Sequence, residues 1–304
     1  MKPLQTSPLS VARRSRHAWL AALITSGPGF LWQCLFVIGP LLIVLAVSFL
    51  TRGPYGSVEF PFTLENYKRF LGFGLLGFDP LYPTILLRSV LLGAATAFIC
   101  AVLALPLAFF IARLPACSKS FALVLVVIPF WTNLLIRTYA WQILLAPDSW
   151  LSAAARALGL LGANQGVYPG MAAVLVGMVC DFLPFLVLPL YASVEKIDWQ
   201  LAEAARDLGA HGLQVFRHAL LPQLKPGLVA GAVLVFLPAT GQFVIPDLLG
   251  GARTAMLGNA IQQQFGQNRN WPFGSAVATA SLLIMCLGFW LWISKTKRKN
   301  REEA

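Results

Sequence analysis

Residues Asp198–Gly227 read DWQLAEAARDLGAHGLQVFRHALLPQLKPG, a polar island between two long apolar runs. The stretch is too long and too patterned for a simple connector. Leu201, Ala204, Ala205 and Leu208 recur at helical spacing, and Asp198 stands where an N-cap is wanted. Gly209 and Gly212 break that helix. Leu213, Phe216 and Leu220 then mark one side of a second short helix, with Pro222 near its end. Two short helices about a glycine turn make a compact knob, a shape suited to docking into a groove on a partner protein.

The composition says what surrounds the knob. Of 304 residues, 58% are hydrophobic and only 12% charged, about half the roughly 25% charge of soluble chains. The fold class is therefore all-α, a polytopic membrane protein. The net charge of +11 does not call for nucleic acid, because the basic residues cluster between and beyond the apolar runs. Cys34, Cys100, Cys117, Cys180 and Cys286 show no metal or redox spacing and read as small hydrophobes.

Six apolar runs are long enough to span a bilayer: 29–50, 84–112, 120–145, 169–194, 227–250 and 273–294. The chain divides into an N-terminal tail and interfacial segment (1–28), a six-helix transmembrane domain (29–294) that includes the loop 198–227, and a basic tail (295–304). Thr63–Tyr67 starts a short amphipathic helix in the first long loop. Six spans put both termini on one side. The tails and the loops on that side carry fifteen basic residues against seven on the other. The positive-inside rule makes the termini and the polar island cytoplasmic. No internal repeat is evident, so an inverted-repeat transporter gains no support.

Polar groups at membrane depth cost about 2.5–3.5 kcal/mol on insertion scales and each needs a reason. The third run carries Trp131, Asn133, Arg137, Tyr139 and Trp141 behind Pro129, which loosens the helix. Arg137 reads in two ways: part of a polar path, or a side chain snorkelling towards belt aromatics. Asp181, the one carboxylate near the middle of a span, either pairs with Arg137 or meets a cationic substrate. Pro238, Gly241 and Gln242 mark a broken fifth helix, with Pro246 and Asp247 beyond them. Trp131, Asn133, Arg137, Tyr139, Trp141, Asp181, Gln242 and Asp247 are the candidate substrate-pathway residues, Asp247 reading more readily as a solvated cap.

The island carries a resemblance. Glu203-Ala204-Ala205, Gly209 after three intervening residues, and Leu221-Pro222 after a further spacing resemble the EAA loop of bacterial ABC importer permeases. The departure is Ala219, where that family usually has isoleucine. In the family this loop couples to the ATPase, which implies coupling roles for Glu203, Ala204, Ala205, Gly209, Leu213, Phe216, Leu221 and Pro222. Residues 131–141 (WTNLLIRTYAW), Leu183-Pro184-Phe185 with Leu188–Tyr191, Gly241–Gly251, and Asn270–Gly274 resemble the spermidine/putrescine type of permease. The resemblance covers about residues 30–294. It implies the type I importer (MetI-like) permease fold, a bacterial inner-membrane location and a polyamine cargo. It implies no cofactor on this chain, with ATP and Mg on a partner. The partners implied are a cytoplasmic ABC ATPase dimer, a second and different permease subunit, an extracytoplasmic binding protein and the lipid bilayer. Gln242 stands where the family often has glutamate, which implies either a different amine or an acid supplied by the paired subunit.

Other classes fare worse. No G-x-x-x-x-G-K-[ST] occurs, so the chain has no P-loop of its own. An intramembrane protease needs a Ser/His pair, clustered histidines or two facing aspartates, and His17, His211 and His218 all fall outside the spans. A stand-alone secondary transporter suits the Asp181/Arg137 pair but has no use for a docking knob. Permeases for iron, sulfate, thiamine or opines share the general plan and remain the alternatives for cargo.

Overall fold

The computed structural model describes residues 25–74, 77–159, 162, 165–251 and 254–302. The expected N-terminal tail therefore lies outside the described residues up to residue 24. Helix α1 runs Thr25–Ser48, with a wide π turn at Cys34–Ile38. Short strands β1 (Thr51–Arg52) and β2 (Val58–Glu59) pair antiparallel, Thr51 opposite Glu59. Helix α2 is Glu65–Phe70, and a second small hairpin pairs β3 (Phe73–Gly74) with β4 (Gly77–Phe78). There follow α3 (Leu81–Ala112), α4 (Ala116–Trp131), α5 (Leu134–Leu144), α6 (Trp150–Ala157) and α7 (Met171–Val194). The last elements are α8 (Trp199–Asp207), α9 (Gly212–Gly241), α10 (Val244–Leu249), α11 (Leu257–Phe265) and α12 (Trp271–Glu302).

Among the described residues, five helices are long and apolar enough to cross a membrane: α1, α3, α7, α9 and α12 over Trp271–Trp290. The third of the six expected spans is not one helix. It is the pair α4 and α5, bent by 94° at the break between them. The fifth also differs from the expected 227–250. It begins at Gly212, inside the polar island, and stops at Gly241. The physical reason lies at Pro222, which has no N–H to give. A π turn at Phe216–Leu220 widens the helix just ahead of it, so the chain passes the proline without ending. Two short helices, α6 and α11, fall in stretches read as loops, because each is shorter than any window that membrane hydropathy resolves.

The chain divides into two compact units. In the first, residues up to Phe70 and from Asn268 onward, α12 packs against α1 and α2. The frayed end of α1 is tied down by side chains. Asn66 Nδ2 donates to the carbonyls of Ser48 and Leu50, at 3.0 and 2.9 Å, and Ser48 Oγ lies 2.6 Å from the Tyr67 hydroxyl. Arg69 stacks its guanidinium 4.5 Å from the centre of the buried Phe273 ring, which accommodates a cation next to apolar packing. Apolar side chains of α1, from Phe30 to Leu45, are largely exposed, as befits a helix facing lipid or another chain.

The second unit, Leu71–Gln267, holds a three-helix core of α3, α7 and α9. Its contact faces are built from small residues: Ala97, Cys100, Ala104 and Ala108 on α3, Ala173 and Gly177 on α7, Gly227, Gly231 and Ala239 on α9, all buried. In lipid no water is expelled between helices, so association rests on close van der Waals approach, and small residues allow it. At Gly231 a Cβ would stand 2.9 Å from Leu186 Cγ and 3.0 Å from its Cα. Gly231→Leu should therefore wedge α7 from α9. The expected cost is about 1–3 kcal/mol or more, read as a lower unfolding temperature of the detergent-solubilised protein. An unchanged melting temperature would contradict this packing.

Candidate functional site

The polar island folds into the expected pair of helices about a turn. Asp198 caps α8, its carboxylate accepting from Gln200 N at 3.0 Å. Gly209, with φ +84°, ends it. Its N–H reaches the Arg206 carbonyl at 2.8 Å, and the Ala210 N–H reaches Ala205 at 3.0 Å. This is the paired-bond turn that satisfies the last carbonyls of a helix, and it needs a left-handed residue at that place. The chain re-enters helix at once, with Gln214 Oε1 accepting from the His211 N–H at 2.9 Å. Gln223 then joins the two arms: its Oε1 accepts from Asp198 N at 2.8 Å and its Nε2 donates to the Ala219 carbonyl at 2.9 Å.

The packing of this knob departs from the periodicity. Leu201, Ala204, Ala205 and Leu208 recur at helical spacing on α8, but none of them is buried. The buried residues are instead Ala202 on α8 and Val215 on α9. Leu208 is 89% exposed and Leu213 80%, with Leu201 and Glu203 also outward. Phe216, Leu220 and Leu221 are half-buried and Pro222 is exposed. The apolar stripe is real, and it faces away from this chain.

A cleft of about 430 Å³ lies beside the knob, lined by Phe109, Arg113, Lys119, Glu195 and Trp199 among others. Trp199 meets Phe109 edge-on at 6.5 Å, which ties the start of α8 to the end of α3. Lys119 on α4 pairs with Glu195 at 3.1 Å. Hydrogen bonds from Tyr191 and then Lys119 hold the Glu195 carboxyl below its ordinary range. The tie is thus present at neutral pH and is lost only as pH falls through that lowered value.

The candidate pathway residues sort into three groups. Arg137 and Asp181 come together: one guanidinium nitrogen donates to Asp181 Oδ1 on α7 and the other to the Pro129 carbonyl on α4. Both side chains are largely buried. Asp181 thus makes the pairing with Arg137 that was one of its two readings, and Arg137 turns inward to it and does not snorkel towards the belt aromatics. Asn133 and Gln242 serve the backbone at helix breaks. Asn133 Oδ1 accepts from Leu135 N at 2.8 Å as the cap of α5, and Gln242 Oε1 accepts from Phe243 N and Val244 N at 3.0 and 3.3 Å. Trp131, Tyr139 and Asp247 are exposed, Trp131 at 82%, while Trp141 packs against the core.

Two positions that sequence reasoning passed over hold the second break in place. Asn259 on α11 donates to the Phe243 carbonyl at 2.8 Å, and Ser89 on α3 accepts from Leu257 N at 2.7 Å. No local pattern announces them, since each acts on chain distant in sequence. Helix α10 packs against both α5 and α7, the helices that carry Arg137 and Asp181.

Comparison with known proteins places this architecture. The family described as binding-protein-dependent transport system inner membrane component matches residues 10–295. The spermidine/putrescine transport system permease protein PotB of Haemophilus influenzae is 41% identical over 273 residues, 90% of this chain and 93% of its own. PotB of Escherichia coli is 40% identical over 271 residues, 89% of this chain and 96% of its own. A solved bacterial ABC transporter that imports the acidic polysaccharide alginate shares the fold, with a TM-score of 0.64 at 14% identity, covering 93% of this chain and 98% of that one. A helical bundle that carries an exposed apolar knob, matched in sequence along nearly its whole length, thus belongs to the family of binding-protein-dependent transport system inner membrane components, the membrane-spanning permease subunits of ABC importers.

Proposed function

We propose that this permease carries a polyamine of the putrescine or spermidine kind across the inner membrane. Two PotB relatives, each at about two-fifths identity over nine-tenths of this chain, support that cargo. The observation that carries the coupling mechanism is the outward apolar stripe of the knob, Leu201, Leu208 and Leu213 beside Glu203. An exposed leucine cluster on a rigid helical turn is an unpaid burial in this chain alone, and a groove on a partner completes it. The partner is a cytoplasmic ATPase dimer that holds ATP and Mg. A second permease chain completes the pathway, and an extracytoplasmic protein delivers the amine. The basic tails and loops put both termini and the knob on the cytoplasmic side.

The continuity of one helix supports a route for force to reach the membrane. The second arm of the knob and the fifth span are one helix, Gly212–Gly241. Gln223 bonds the first arm to it. Displacement of the knob therefore moves α9 as a lever, and with it the break at Gln242. Closure of two ATPases would draw two such levers together and switch the cavity by rigid-body motion. The exposed Trp131 and Tyr139 offer ring faces to a polycation, where cation–π contact contributes about 0.5–2 kcal/mol each.

Glu203→Lys should abolish ATP-driven uptake of labelled putrescine or spermidine in cells lacking their own uptake system, while the chain still inserts. Uptake at the wild-type rate would remove the coupling assignment. Leu213→Glu should reduce ATPase co-purifying with the tagged chain by about tenfold or more, because it puts a charge at the centre of an apolar contact. Undiminished co-purification would move the docking face elsewhere.

A further inference from the structure

The break between α4 and α5 leaves a backbone problem. After Trp131 the chain turns extended at Thr132 (ψ 147°) and Asn133 (ψ 132°). The Pro129 carbonyl thus loses its helical partner four residues on. In hydrocarbon such a carbonyl needs a donor from the protein. Thr132 supplies two, its hydroxyl at 2.7 Å and its N–H at 3.3 Å. The third comes from across the bend: Arg137 of α5 donates one nitrogen to Pro129 O and the other to Asp181 of α7. One guanidinium thereby joins both arms of the bend to the three-helix core.

We propose that Arg137 is a positioning residue for transport, a brace that sets the 94° bend, and that Asp181 anchors the brace and is not an open site for the amine. The inference rests on the transporter reading above. Three features support it. Arg137 is largely buried, and so is Asp181, 8% exposed. The planar fork of arginine presents separate nitrogens to two acceptors in a fixed geometry, where lysine has one rotatable point charge. The bend that Arg137 fixes also carries Trp131 at the end of α4 and Tyr139 on α5, so the brace sets where those rings stand. Helix α10, beyond the fifth-span break, packs on α5 and α7, the two helices that the brace links. Motion of the α9 lever thus arrives at a joint of fixed shape.

The test uses the whole transporter in proteoliposomes: this chain with its partner permease, ATPase and binding protein. Stimulated ATP hydrolysis and uptake of a diamine and a triamine are measured per assembled complex. The variants are Arg137→Met, Asp181→Leu and the double. A single change leaves a buried charge unpaired and lowers the yield of complex. The double leaves none and should restore yield, because apolar replacement of a buried pair is well tolerated. The brace predicts that the assembled double still turns over about tenfold slower than wild type, that the singles are no less impaired, and that the effects do not add. Hydrolysis and uptake fall together, equally for both amines. Wild-type turnover in the double would overturn the proposal. So would a single Asp181→Leu that keeps stimulated hydrolysis but loses uptake, more for the triamine, since that marks Asp181 as a cargo contact. A wild-type complex that imports neither amine would refute the cargo reading, while the hydrolysis measurements would still decide on the brace.

Discussion

A backbone polar group in hydrocarbon has no water to turn to, so every interruption of a helix in this protein has to be closed by the protein itself. The two breaks in the spanning helices show how. At Thr132–Asn133 the freed groups go to the Thr132 hydroxyl, the Asn133 carboxamide and the Arg137 guanidinium. At Gln242–Phe243 they go to Gln242 itself and to Asn259 from α11. Polar residues that look like a substrate path in the sequence are thus partly committed to holding the chain in a shape that regular helices cannot make. That commitment fixes the position of the exposed aromatic residues beside them, Trp131 and Tyr139.

The same constraint divides the labour between rigid and adaptable parts. The core of α3, α7 and α9 packs on small residues and has no polar break until Gly241. It behaves as a rod. The knob at its foot is capped at its helix ends by Asp198, Gly209 and Gln214, which holds those ends against fraying. What remains unsatisfied on the knob is apolar area, and only another protein can cover it. The docking surface proposed for the knob and the broken segment at Gln242 therefore lie on one helix, the first at its start and the second beyond its end.

Much of this was legible in the sequence. Apolar run length located α1, α3, α7 and α12 to within a few residues but missed both ends of α9, and the Asp198 cap and the Gly209 turn followed from local chemistry. Pro129 signalled a loosened helix, and the structure turns that loosening into a bend of 94°. Three things stayed hidden. Pro222 looked like a helix end, because a π turn that absorbs a proline leaves no compositional mark. That this chain leaves the stripe through Leu201 and Leu208 uncovered was not legible, because periodicity reports an apolar face and not what covers it. Asn259 and Ser89 act on chain far away in sequence, so nothing near either residue points to its task. The Arg137–Asp181 pairing was one of two readings, and only the fold could bring the 44-residue separation down to contact.

The claim that bears the most weight is that the knob is half of an interface with an ATPase. The direct measurement is purification of the tagged full-length chain in mild detergent, with mass identification and stoichiometry of what accompanies it. The account predicts a P-loop ATPase and a second six-span permease in fixed ratio to the chain. A homogeneous chain, recovered alone from a preparation that retains other membrane complexes, would contradict it.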